Sequence, residues 1–218
     1  MNTAIDCGVD VSRESFAQRA QAYSFFSNVF MIEVNDAFLE GLKGCAVDGS
    51  EQMSLFISSL DACEVEKTVA DLKADFASTF LNMSAHPAFT SESVYLSDDH
   101  IMMQEQRDEV LESYRRCGFS VSDSFREPED HIAVELAFMS SLCERAARIV
   151  GAPDGSFDRF ELEECVAAQR DFIVDHLAKW TPLFCAEVKS SARTPFYRGV
   201  AEMLESFIEQ ERLDVCSR

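Results

Sequence analysis

Proline occurs five times and glycine eight times in 218 residues, and no two glycines stand in a phosphate-binding arrangement. Without G-x-x-x-x-G-K or G-x-G-x-x-G ahead of a helix, the chain has no backbone cradle for a nucleotide phosphate. Basic residues are also scarce: 19 Lys plus Arg face 39 Asp plus Glu, a net charge of −20. A field of that sign repels phosphate backbones, which excludes nucleic acid as a partner and favours a basic ligand. No run of about 18 apolar residues is free of charge, so no stable membrane insertion is expected. Asp6, Asp10 and Glu14 interrupt the first fifteen residues, which therefore lack the apolar core of a secretory leader.

Metal and nucleophile signatures are missing too. The eight cysteines, Cys7, Cys45, Cys63, Cys117, Cys143, Cys165, Cys185 and Cys216, include no C-x-x-C pair. Several fall on the apolar positions of helical patterns, where Cys behaves as a small hydrophobe, and reduced thiols in the cytoplasm are the economical reading. None of His86, His100, His131 or His176 follows a Glu by three residues, and H-E-x-x-H is absent, so neither a di-iron bundle nor a zinc peptidase helix is encoded. A Cys–His pair meeting in space is the one catalytic arrangement that spacing leaves open. The expectation is a chain that is not an enzyme and needs no cofactor.

What is present is helical periodicity and 18 Phe within a 47% hydrophobic composition. Helices are predicted over 12–31, with Ser12 as N-cap, and over 36–42, 50–60 and 61–81. Residues 82–97 lose the period and read as an ordered loop; 98–116 is helical again, closed by Gly118. The polar stretch 120–126 reads as a hinge. Pro128 fits the first position of a helix that ends at Gly151, with Glu129 and Asp130 at its positive end. Asp158 and Glu161 are spaced as a capping box for a helix to Lys179. Trp180-Thr-Pro182 should break the chain before 183–189, and a last helix covers 195–213. No segment alternates like a strand. The predicted class is all-α: one domain over 1–218, divided at most into subdomains 1–119 and 127–218 at the hinge.

Polar residues concentrate in Glu127-Pro128-Glu129-Asp130-His131. Carboxylates at a helix start account for the composition, and His131 and Glu135, four apart, have the spacing of a helical pair. A groove lined by Asp130 and His131 that meets a basic ligand accounts for it equally, with histidine making binding pH-sensitive. The five residues match E-P-x-D-H, the hinge motif of the TorD/DmsD family of redox-enzyme maturation chaperones, and the chain resembles that family elsewhere. Asp75-Phe76-Ala-Ser-Thr-Phe80-Leu81 is similar to D-F-x-x-x-F-x, and Ser93-Val94-Tyr95-Leu96 to an S-V-Y-L segment opening the helix of Met103 and Tyr114. His176-Leu177-Ala-Lys-Trp180 matches H-L-x-x-W, and Pro195-Phe196-Tyr197-Arg198 matches P-F-Y-R. The motifs run in family order over roughly 70–205. The departure is Pro87–Glu92, where some members carry Pro-Pro-Trp-Gly; Phe89 is the aromatic candidate there.

The resemblance implies an all-α cytoplasmic chaperone that binds the twin-arginine signal peptide or the apo form of a molybdenum-cofactor oxidoreductase and delays its export. It places peptide-binding or hinge roles on Tyr95, Glu127, Pro128, Asp130, His131, Asp75, Phe76 and Phe80. Ser93, Trp180, Phe196 and Tyr197 are expected to be structural. The partner is an apo-molybdoenzyme catalytic subunit, and the short hinge allows a monomer or a domain-exchanged dimer. Two rivals stand beside this reading: a helical adaptor with another partner, and a nucleotide-binding enzyme, which the acidic field and missing phosphate loop oppose.

Overall fold

Side-chain caps start several helices where the sequence offers them. In the computed structural model, which describes residues 12–45, 49–122, 125–152 and 156–216, Ser12 accepts from the Ser15 N–H at 3.1 Å and opens α1 (Arg13–Met31). Asn35 opens α2 (Asp36–Leu42) and Ser50 opens α3 (Glu51–Ser59) in the same manner. A short 3₁₀ turn follows α3, and then come α4 (Val65–Phe80), α5 (Glu92–Leu96) and α6 (Glu105–Cys117). The second half holds α7 (Ile132–Val150), α8 (Arg159–Phe172), α9 (Ala178–Ser191) and α10 (Pro195–Cys216). Among the described residues all regular structure is helical, apart from one isolated antiparallel bridge between Ser91 and His131. Cys7 and part of the 120–126 hinge lie outside the described residues.

The long pair α1 and α7 forms the centre. Small residues let the two backbones approach, and each helix uses a serine on the other: Ser27 Oγ donates to the Ala133 carbonyl at 2.7 Å, Ser140 Oγ to that of Ala20 at 2.9 Å. Such bonds satisfy hydroxyls that burial would otherwise strand. A buried carboxylate ties α1 to α10. Arg19 clamps Glu211 through Nε (2.7 Å) and Nη2 (2.6 Å), Tyr23 Oη donates to the same carboxylate at 2.7 Å, and Arg19 Nη1 reaches Gln169 of α8 at 2.9 Å. One apolar core runs from Phe16 to Val215 through residues on both sides of the hinge, including Trp180, Phe138, Phe172, Phe184 and Phe196.

Several boundaries differ from those the sequence predicts. The helix expected from 98 starts at Glu105, because His100 and Met103 adopt left-handed backbone angles (φ 52° and 64°) that no α-helix admits. For the same reason α5, which carries Ser93 and Tyr95, is a separate turn rather than the start of the helix containing Tyr114. Pro128 does not begin α7; His131 is its N-cap, accepting from the Ala133 N–H at 3.1 Å, and residues 128–131 instead turn toward residues 90–92. Asp158 caps α8 as expected, but Glu161 leaves the box to bond Arg145. The break at Trp180-Thr-Pro182 does not occur. A π segment (Ile173–Leu177) joins α8 to α9 without interruption, and Pro182 sits inside α9 at the loss of one ladder bond. Trp180, Thr181, Phe184 and Cys185 are all wholly buried, and this packing overrides the local preference.

Gly199 marks a close helix contact: a Cβ there would lie 2.7 Å from the Met53 backbone nitrogen of α3. Gly199→Ala should therefore cost about 1–2 kcal/mol in urea unfolding despite its gain in helix propensity. Gly41→Ala in α2, where the space is open, should be neutral or stabilising in the same assay.

Candidate functional site

Asp130 is fully buried, and Ser93 holds it. The Ser93 backbone N–H donates to Asp130 Oδ2 at 2.9 Å, and the Ser93 hydroxyl makes a second, very short bond to the same oxygen. Around this contact the backbones pair, with Glu92 N–H donating to the Asp130 carbonyl at 3.0 Å and Ile132 N–H to that of Thr90 at 2.8 Å. The carboxylate thus caps the first turn of α5, and the segments Ser93–Leu96 and Glu127–His131 become one unit. The rest of the latter segment turns outward or sideways. Glu129 pairs with Arg107 of α6 at 2.5 Å, Tyr114 donates to the Glu129 carbonyl at 3.1 Å, and Glu127 is exposed.

Beneath the clamp lie more buried carboxyls. Glu92 faces His176 on the π segment, with Nδ1 and Oε2 3.0 Å apart, and Trp180 Nε1 donates to Glu135 at 3.1 Å. Burial, reinforced by the neighbouring Glu92 charge, holds the Glu135 carboxyl well above the usual range. Burial also raises Glu92, against the opposing pull of His176. Burial alone lowers His131 to about 4. His131 therefore stays neutral as an N-cap acceptor, and its predicted partner Glu135 turns to Trp180 instead.

The remaining sequence-predicted residues meet in a second place. Asp75 of α4 accepts from the N–H groups of Arg193 (2.9 Å) and Thr194 (2.7 Å) and from Thr194 Oγ1 (2.6 Å), capping the start of α10. Directly below, Phe76 and Phe80 lie 6.1 and 5.5 Å from the Tyr197 ring, and Phe196 lies 4.9 Å from it. Tyr95 bridges the two regions: its ring stacks on Trp180 at 5.5 Å, and its hydroxyl donates to Glu187 at 2.6 Å beside the Phe89 carbonyl. Of the predicted site residues, Tyr95, Glu127 and Pro128 reach the surface, while Asp75, Phe76, Phe80, Asp130 and His131 do not.

Two grooves open nearby. One, of about 640 Å³, runs between α6 and the α8–π rod. Six carboxylates line it (Glu105, Asp108, Glu109, Glu112, Asp171 and Asp175) against the cations Arg116 and Lys179, with His176 also in its wall. The other, of about 430 Å³, is apolar and begins just past α6, bounded by Phe119, Val121 and Phe125, by Met31 of α1 and the Ile32 that caps it, and by Val134 of α7. Among the described residues no three His, Cys, Asp or Glu side chains are placed to hold a metal ion, and no helix is long and apolar enough to cross a membrane.

Residues 48–186 match the family described as nitrate reductase delta subunit. The chain belongs to this family, which includes the TorD and DmsD chaperones. Its similarity to curated members extends beyond the matched region. It is 26% identical over 208 residues to chaperone protein TorD of Vibrio parahaemolyticus, covering 87% of this chain and 91% of the relative. Chaperone protein TorD of Aliivibrio salmonicida is 25% identical over 204 residues (88% and 92%), and that of Photobacterium profundum 26% over 205 (88% and 91%). These relatives are named chaperones, and the chain stands with them as a chaperone-family protein, not an enzyme.

Glu92 and the acidic groove do not emerge from motif reading, and Glu135 does so only as a spacing partner of His131. The groove had a signal: Glu105, Glu109 and Glu112 recur at helical spacing on one face of α6, and Asp171 and Asp175 do so opposite. Glu135 and His131 generate two predictions of opposite sign. A raised folded-state carboxyl contributes stability at low pH that is lost as pH climbs toward its folded pKa. Glu135→Gln should therefore stabilise the fold relative to the parent by an amount that grows as pH rises above about 4.5, read by denaturant unfolding. A lowered histidine contributes stability above its unfolded pKa, and this is lost as pH falls from about 6.5 through about 4. His131→Asn keeps an N-cap acceptor and should remove about 3 kcal/mol of acid sensitivity across that window.

Proposed function

We propose that the protein is a cytoplasmic maturation chaperone that binds the twin-arginine signal peptide of an apo-molybdoenzyme catalytic subunit and delays its export until cofactor insertion. The observation that carries this reading is near end-to-end similarity to proteins named chaperone TorD. The surface supports it. A signal peptide of this type offers an arginine pair followed by an apolar stretch, and the acidic α6 groove ends three residues before the apolar groove begins at Phe119. Attraction by the −20 charge speeds encounter and fixes orientation, while apolar burial supplies most of the affinity.

Within this reading the motif residues divide by position. Tyr95, Glu127 and Pro128 reach the surface and are the motif residues open to contact with the peptide. Asp130, His131, Asp75, Phe76 and Phe80 act through the helices they hold, with Ser93 and Tyr197 among their partners and Trp180 and Phe196 packed in the core beside them. The protein works as a monomer or, through the short hinge, as a domain-exchanged dimer.

Calorimetric titration with twin-arginine signal peptides from the same genome tests the function. Saturable binding is expected, weakened when both arginines become lysine and, to a smaller degree, by Glu127→Ala. Failure to bind any such peptide would contradict the reading.

A further inference from the structure

Three large apolar residues in a row face solvent just ahead of α6: Ile101 is 53% exposed, Met102 49% and Met103 61%. A single exposed apolar side chain is ordinary, but three in sequence form a continuous surface of the kind that marks a contact site. The loop is also held in place. The His100 N–H donates to the Ser97 carbonyl at 3.2 Å, and His100 Nδ1 lies 3.0 Å from the Val94 carbonyl. The Gln104 N–H donates to Ser93 Oγ at 3.3 Å, and Gln104 Nε2 to the Met102 carbonyl at 3.1 Å. Both ends are therefore tied to α5, one of them through the serine that clamps Asp130.

The left-handed angles of His100 and Met103 bracket the exposed run. Glycine would adopt such angles freely; a histidine and a methionine there cost conformational energy, a strain that recurs where a segment must present its side chains. Methionine supplies a flexible, polarizable thioether that moulds to apolar partners of differing shape. The border of the loop selects the partner. Asp98 and Asp99 precede it and Glu105 and Glu109 follow it, all exposed. Such a border repels an anionic bilayer, and it repels a second copy of a chain that carries −20. A polypeptide segment whose apolar side chains are flanked by Arg or Lys complements both the loop and its border.

We propose that the Ile101–Met103 loop is a docking surface for an apolar, cation-flanked segment of the client polypeptide. The loop and the Phe119 groove stand at opposite ends of the 13-residue α6, roughly 20 Å apart at 1.5 Å per residue, so this contact is additional to that groove. The inference rests on the chaperone reading above and gives the Ser93–Asp130 clamp a second task, which is to hold the loop that meets the client.

The test uses full-length protein labelled with ¹³C-methyl methionine and a synthetic Leu- and Phe-rich peptide bordered by Arg and Lys, with a Ser-rich version as control. A twin-arginine signal peptide is titrated in parallel. The apolar peptide should move the Met102 and Met103 methyl resonances, and the Ser-rich one should not. Met102→Gln/Met103→Asn should weaken the apolar peptide about tenfold, while Met102→Leu binds as the parent does. Asparagine tolerates the left-handed region, so the double variant should keep the parent's unfolding midpoint. Signal-peptide binding with stationary methyls and equal affinity of parent and variant for the apolar peptide would overturn the loop and leave the chaperone reading standing. Apolar-peptide binding through the loop without any signal-peptide binding would keep the loop and overturn the signal-peptide reading. Methyl shifts caused only by phosphatidylglycerol vesicles, or only by raising the protein concentration, would overturn the polypeptide as occupant. Silence with every probe would overturn both readings.

Discussion

The contact on which the molecule depends is the one between Asp130 and Ser93. A carboxylate with no exposure to water depends on hydrogen bonds in place of its hydration, and Ser93 supplies two to Oδ2, from its backbone N–H and its hydroxyl, while Oδ1 stays buried without a partner among the described residues. Because Asp130 precedes α7 and Ser93 lies in the first turn of α5, this one interaction sets where two distant stretches of chain cross. The backbone bonds of Glu92 and Ile132 follow from that crossing. So does the position of Glu92, which is brought to His176, and with it the site where α5 meets the α8–π–α9 rod.

Asp75 repeats the device at the other end of the core, satisfying the N–H groups ahead of α10 and fixing Phe76 and Phe80 against Tyr197. The motifs that mark the family are in this sense contacts with one another: D-F-x-x-x-F with P-F-Y-R, S-V-Y-L with E-P-x-D-H, and Tyr95 with the Trp180 of H-L-x-x-W. Residues spent on holding the helices in register are largely withdrawn from solvent. What the helices display to solvent includes a carboxylate-lined groove and an apolar one.

Much of the fold was legible in the residues. Apolar spacing located α1, α4, α7 and α10, and Ser12, Asp158 and Gly118 ended or began helices as their chemistry requires. What local pattern could not show was set by tertiary packing: a Pro182 carried inside α9 by four buried neighbours, and left-handed angles at His100 and Met103 that shorten α6. The site was legible in part. E-P-x-D-H announced that Asp130 mattered, but its composition suits a groove and a helix cap alike, and only the distance to Ser93 shows what the carboxylate does. His176 belonged to a weak motif, and its partner Glu92 stands 84 positions away, beyond any local pattern.

The central claim is that Asp130 and Ser93 form one energetic unit, and a double-mutant cycle in urea unfolding tests it most directly. Asp130→Asn, Ser93→Ala and the double variant should show a coupling energy of about 2 kcal/mol, with the two single changes each costly and the double little worse than either. Losses that simply add, with coupling under about 0.5 kcal/mol, would contradict the account and leave Asp130 free for a role at the ligand instead.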